Sequence, residues 1–210
     1  MSHSEMSTLA ALREAEAGCT RCPLYRDASQ VVPGEGPSRA KVMFVGEQPG
    51  NDEDLAGRPF VGPAGRVLDR AILEAGLDRT TIFVTNAVKH FKFDRRGKLR
   101  LHKKPSISET KACRPWLEAE VAVLRPAILV CLGATAAMSV FGRDYRVTKE
   151  RGQFVEHPLA PLATSTVHPS AILRAPDAEQ RHAEYEMFLA DLKKVRGFME
   201  TPQRVHSHGL

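Results

Sequence analysis

One stretch limits what this chain can become. An apolar run, Val42-Met43-Phe44-Val45, leads into Gly46-Glu47-Gln48-Pro49-Gly50-Asn51-Asp52-Glu53-Asp54 and on through Gly57-Arg58-Pro59-Phe60-Val61-Gly62-Pro63-Ala64-Gly65. The run reads as a short buried strand. A helical pattern starts near Pro63, with Val67, Leu68, Ala71, Ile72 and Ala75 on one side. A strand that ends in a glycine- and acid-rich loop and feeds a helix is how open α/β sheets build sites at their strand ends. Neither G-x-G-x-x-G nor G-x4-G-K-[ST] occurs in it, which argues against a nucleotide cofactor. Phe60 is a large apolar residue with no strand or helix of its own, so the stretch is more than a solvated loop.

The rest of the chain repeats the strand–helix alternation. Leu9 to Ala17 reads as a helix stopped by Gly18, Thr81 to Asn86 as a second buried strand, and Ser108 to Leu124 as a helix with Ser108 as its N-cap. Ala127 to Leu132 is a third strand and Gly133 to Phe141 a short helix; Gly152–Glu156 and Pro161–Val167 are two more strands, and 178–196 a final helix. The second strand ends on Asn86 and the last on His168-Pro169-Ser170, polar groups where a parallel sheet presents its site. The expected fold is one three-layer α/β/α domain over residues 1–210, around four or five mostly parallel strands, with tails at 1–7 and 200–210.

Between the second strand and the next helix lie seventeen residues, Lys89 to Pro105, read as a loop. That is long for a connection in a compact domain and marks function more often than filler. It carries Lys89, Lys92, Arg95, Arg96, Lys98, Arg100, Lys103 and Lys104, with Phe91, Phe93 and His102 interleaved. The net charge of +5 is modest, but its concentration here points to a polyanion partner. No run approaches the ~18 apolar residues of a membrane span, and Met1 to Ala11 lacks a secretory pattern. The expectation is a cytoplasmic monomer that does not enter membranes.

Cys19, Cys22, Cys113 and Cys131 are all the cysteines present. Cys19-Thr-Arg-Cys22-Pro23 makes a turn that aims two thiolates at one point; four thiolates suit tetrahedral zinc or a [4Fe–4S] cluster. Zinc ribbons usually bring two C-x2-C knuckles, and here seventeen residues separate the second pair, which favours the cluster over zinc. Core packing of Cys113 and Cys131 is the other reading.

Gly46-Glu47-Gln48-Pro49-Gly50, Gly57 to Gly65, Thr85-Asn86 and His168-Pro169-Ser170, in this order, resemble the motifs of family 4 uracil-DNA glycosylases. The resemblance covers roughly residues 15 to 195 and implies the glycosylase fold, a [4Fe–4S] cluster on Cys19, Cys22, Cys113 and Cys131, and uracil-containing DNA, single- or double-stranded, as partner. Within that family, Gln48, the Asn86 to Phe93 stretch and the basic insert ending in His102 resemble the crosslinking subgroup called UdgX. Its members release uracil and stay attached to the abasic sugar through a loop histidine. The subgroup's insert usually reads Lys-Arg-Arg-Ile-His, where this chain has Lys98-Leu99-Arg100-Leu101-His102; Asn51 stands where an acidic residue is common.

Breaking the C1′–N1 bond of deoxyuridine builds positive charge on the sugar and negative charge on the base, so catalysis is expected to be electrostatic, on a base taken out of the stack. Phe60 is the expected stacking platform, within a pocket that Gly46 and Gly50 help to form. Asn86 matches the Watson–Crick edge of uracil and mismatches that of cytosine. His168 is expected to donate to uracil O2, Glu47 to stabilise the sugar cation and orient the nucleophile, Gln48 to shape the pocket floor or contact backbone, and Asp54 to add electrostatic support. His102 is expected to attack C1′, with Arg100, Lys103 and Lys104 disfavouring its protonation. Lys89, Lys98, Arg100, Lys103, Lys104 and Ser170 are expected on the DNA backbone. A turnover glycosylase and a metal-containing DNA-binding module without chemistry are the alternatives.

Overall fold

The computed structural model describes residues 7–200, so the expected tails at 1–7 and 200–210 fall almost wholly outside the described residues. The chain runs α1 (Leu9–Ala17), β1 (Val42–Gly46), α2 (Asn51–Ala56), α3 (Pro63–Glu74), β2 (Ile82–Asn86), β3 (Phe93–Arg96), β4 (Leu99–His102), α4 (Ile107–Leu124), β5 (Ile128–Leu132), α5 (Ala134–Phe141), α6 (Val147–Glu150), β6 (Val155–His157), β7 (Ala160–Thr166), α7 (Pro169–Leu173) and α8 (Ala178–Glu200). Five strands form one sheet in the order β2-β1-β5-β7-β6; all neighbours are parallel except the edge strand β6, which is antiparallel to β7.

The central strands are apolar throughout because helices cover both faces. Val42, Phe44, Ile82, Val84, Ile128, Val130 and Leu132 pack toward α3, α7 and α8. The alternate residues Met43, Val45, Phe83, Leu129 and Cys131 pack toward α4 and α5. This is the expected three-layer sandwich. A third apolar cluster lies off the sheet, where Leu12 of α1, Cys19, Cys22, Leu24, Val31 and Val88 meet Cys113, Trp116 and Ala119 of α4.

Three local readings change. The seventeen-residue insert contains a two-stranded antiparallel hairpin, β3–β4, turning at Gly97, whose φ of 60° suits glycine. Residues 51–56 form α2, with the Glu53 carboxylate accepting from the Gly50 N–H at 3.0 Å. Helix α4 is capped by Ser106, not Ser108: Ser106 Oγ accepts from the Glu109 N–H and the Glu109 carboxylate accepts from the Ser106 N–H, a complete capping box.

Candidate active site

The parallel strands β2, β1, β5 and β7 end along one edge of the sheet, and the residues at or after the ends of β2, β1 and β7 form one rim. Gly46 lies in register with Asn86, and a Cβ at Gly46 would sit 2.3 Å from Asn86 Oδ1 and 2.7 Å from the Phe60 ring. Gly46 therefore belongs to the pocket wall because nothing larger fits between the two side chains. Phe60 adopts a left-handed backbone, φ 56°, unusual for a bulky residue. Its carbonyl packs against Gly65, where a Cβ would overlap it, so the tight Phe60–Gly65 turn requires that glycine. The Phe60 and His168 rings stack at 6.1 Å with 26° between planes.

His168 caps α7. Its Nδ1 accepts from the Ser170 N–H at 3.2 Å and lies 2.8 Å from Ser170 Oγ, which itself accepts from Arg174 at 3.0 Å. An N–H can only donate, so Nδ1 holds a lone pair and the neutral ring carries its proton on Nε2. Burial, helped by the positive Arg174 and by His102, pulls the His168 pKa down to about 4. Ser170 is thus committed to orienting His168.

Glu47 follows β1. One carboxylate oxygen lies 3.3 Å from His102 Nε2, and the other accepts from the Thr135 hydroxyl in the first turn of α5. His102 ends β4 and its side chain is half exposed. The hairpin alternation explains how it gets there. Phe93 and His102 are directly paired, as are Arg95 and Arg100, so these four share one face. His102 and Phe93 pack beside Phe91, and Arg100 lies over both Phe91 and Phe93. Leu99 and Leu101 face outward, 64% and 44% exposed.

Two side chains fix the hairpin to the body. Gln48 Nε2 donates to the carbonyls of Lys92 and Lys103, each at 3.1 Å, while its Oε1 accepts from the Lys92 N–H at 3.1 Å. The amide closes the neck of the hairpin like a short length of strand, so Gln48 contacts backbone, one of its two expected roles. Asp54, fully buried, pairs with Arg100 at 2.5 Å and accepts from the Ser29 N–H at 3.0 Å.

Several expected roles are corrected by these contacts. Asp54, fully buried, is spent on Arg100 and Ser29. Arg100 is turned inward to Asp54, Asn51 and Ser29. Lys89 is wholly buried: its ammonium pairs with Glu120 at 2.7 Å and donates to Thr85, and Glu120 also accepts from the Gly34 N–H. A buried ammonium held between partners cannot reach DNA. Gly50 gives its N–H to Glu53. Lys103 pairs with Asp94 at 3.0 Å but remains half exposed; Lys98 and Lys104 are exposed. Thr135 and Arg174 were not singled out by the sequence. Their signal is weak, a hydroxyl at the second position of a helix and a cation six residues after a strand-end histidine.

The cysteines divide three to one. Cys19, Cys22 and Cys113 share the cluster off the sheet, where the Trp116 indole N–H donates to Cys19 Sγ at 3.1 Å and the Lys89 N–H to Cys113 Sγ at 3.2 Å. Burial pushes the Cys113 thiol up to about 12, with the neighbouring Cys22 and Cys19 adding to the rise. Cys131 lies mid-sheet in β5, between Val45 and Ser165, in the core facing α4 and α5. The expected set of four thiols is therefore not formed: Cys19, Cys22 and Cys113 line the apolar cluster off the sheet and Cys131 lies in another. Among the described residues, no three His, Cys, Asp or Glu side chains converge tightly enough to hold a single metal ion. His90, after β2, is 4% exposed, and its Nδ1 has no hydrogen-bond partner.

With strand ends, stacked ring and buried amide gathered at one rim, the comparisons with known proteins agree on the family. The model of the uracil DNA glycosylase superfamily matches residues 33–193. A type-4 uracil-DNA glycosylase of Sulfurisphaera tokodaii is 35% identical over 209 residues, spanning 95% of this chain and 88% of its own. That of Thermotoga maritima is 36% identical over 183 residues, 87% and 90% of the two chains, and that of Pyrobaculum aerophilum 37% over 172 residues, 79% and 84%. The chain belongs to the uracil-DNA glycosylase superfamily.

Proposed function

We propose that this protein excises uracil from DNA and then becomes covalently joined to the abasic sugar through His102, as in the UdgX-like subgroup. The pairing of His102 with Glu47 beside the Phe60–Asn86–His168 rim is the observation that carries the reading. A flipped uracil stacks on Phe60, and the Asn86 amide accepts from N3–H and donates to O4. His168 Nε2–H donates to O2, where charge grows as the C1′–N1 bond breaks. Uracil departs with the bonding electrons, and Glu47 stabilises the positive sugar. The imidazole nitrogen not engaged by Glu47 then bonds to C1′, and the proton on the other nitrogen passes to Glu47. The neutral alkyl imidazole left behind is a poor leaving group, so the adduct persists. The exposed Lys98, Lys103 and Lys104 hold phosphates and carry no sequence information.

Cys19, Cys22 and Cys113 are proposed to bind part of a [4Fe–4S] cluster, with zinc as the alternative metal. Bound there, it supplies a tie between the N-terminal arm and α4. The decisive experiment mixes protein with a uracil-containing oligonucleotide and resolves it on a denaturing gel. A species that survives heat and detergent in equimolar yield supports the adduct. Abasic product in excess of protein, with no such species, identifies a turnover glycosylase. No uracil release at all removes the enzymatic reading.

A further inference from the structure

We propose that Thr135 is a positioning residue for uracil excision: its hydroxyl fixes the orientation of the Glu47 carboxylate, and the turn that carries it holds Glu47 in step with His168. This rests on the uracil-excision reading above and is independent of the covalent adduct.

Thr135 stands at the second position of α5 and is 5% exposed. A hydroxyl within a helix ordinarily turns back to a carbonyl of the preceding turn. Ser139 of the same helix does so, donating to the Ala136 carbonyl at 2.7 Å. Thr135 does not. Its hydroxyl has one proton to give and gives it to the carboxylate of Glu47, 88 positions away in the chain. The two oxygens of Glu47 are thereby divided, one on Thr135 and the other 3.3 Å from His102 Nε2. Among the described residues the Glu47 side chain has no other hydrogen bond or ion pair. The two partners differ in how firmly they are held. His102 ends a strand of the projecting hairpin, whereas α5 is seated in the core through Ala136, Ala137 and Val140. Thr135 is the fixed reference of the pair. Without its hydroxyl, the carboxylate can rotate about its own axis and still meet His102.

The start of α5 is also locked to the base-binding end of the site. The Gly133 N–H donates to the Thr166 carbonyl at 2.9 Å, and a Cβ at Gly133 would lie 2.9 Å from His168 Cβ. One short turn therefore touches His168 at Gly133 and Glu47 at Thr135. In the proposed reaction His168 meets the negative charge that grows on uracil and Glu47 the positive charge that grows on the sugar. The turn spaces these two groups across the breaking bond, so that both are in place before the charges form.

The test is single-turnover uracil release, with protein in excess over a uracil-containing single strand. Affinity is measured on a strand carrying 2′-fluorodeoxyuridine, whose fluorine disfavours the sugar cation and preserves the bond. Thr135→Val keeps the branched shape and loses the donor. It is expected to slow release by about 10- to 100-fold, the scale of a small misplacement of a reacting group, with affinity unchanged. Thr135→Ser keeps the hydroxyl and is expected to restore the rate. On a Glu47→Ala background, Thr135→Val is expected to slow release no further, because the group it positions is gone. Wild-type release by Thr135→Val overturns the assignment. So does a loss in Thr135→Ser equal to that in Thr135→Val, or a Thr135→Val effect as large without Glu47 as with it. A wild-type protein that releases no uracil defeats the excision reading itself and this role with it. Because the rates are read on released uracil, a missing adduct does not affect them.

Discussion

The two halves of the proposed active site are held by different physics. Asn86 ends a strand of a parallel sheet buried on both faces, His168 closely follows another, and Phe60, in the turn before α3, packs against the same core, so their positions are fixed by it. His102 stands on a hairpin that projects from the body and has mostly exposed side chains. That hairpin is placed by a handful of contacts: the Gln48 amide at its neck, the Arg100–Asp54 pair and the aromatic packing of Phe91. In the proposed function, uracil recognition is built into the fold, whereas covalent capture hangs on an appended element. The two functions should therefore separate under mutation.

The largest separation is expected from His102→Ala, which removes the adduct entirely while some uracil release persists, read on paired denaturing gel and base-release assays. Loss of both would tie the histidine to excision and erase the distinction between the halves. Next come the hairpin bolts. Gln48→Ala and Asp54→Asn loosen the hairpin without touching the stacked rim. A misplacement of about 1 Å can cost on the order of 100-fold in rate, so adduct formation is expected to slow by about 10- to 100-fold, with uracil release changed much less. Equal slowing of both steps would show that the bolts serve the whole site.

The sheet-borne half has its own signature. Because His168 is held down to about 4, its ring is expected to remain the neutral Nε2–H form in a nitrogen NMR titration from pH 8 to pH 5. The unfolded chain takes up this proton near pH 6.5 and the folded chain only near 4, so the group lowers stability as pH falls through that window and contributes no pH dependence above it. A midpoint between 6 and 7 in the folded protein would contradict the orientation drawn from Ser170. The smallest effects are expected from the outer cations. Lys98→Ala and Lys104→Ala should each weaken DNA binding and flatten its salt dependence by about 0.7 to 0.9 in log–log slope, with the chemistry unchanged.

The same contrast explains what could be read in the amino-acid sequence. Continuous apolar runs such as Val42–Val45 and Ile128–Leu132 report strands covered on both sides, and polar residues directly after them report the site; these signals are local and strong. The hairpin has no core to report it. Its strands are four residues each, mostly polar, and its inward face is recognisable only once Arg100 is seen to seek Asp54, a residue 46 positions away. Lys89 misled for the same reason, because a lysine in a basic run looks solvated until Glu120 is folded against it. Counting cysteines suggested a set of four, and only the sheet shows that Cys131 faces the wrong layer.

Protease digestion of the purified protein–DNA complex, followed by tandem mass spectrometry, tests the central claim most directly. The account predicts a deoxyribose-derived mass on the peptide containing Leu101-His102-Lys103, with fragment ions locating it on the imidazole. An unmodified His102 peptide in full yield, or the sugar on any other residue, would contradict it.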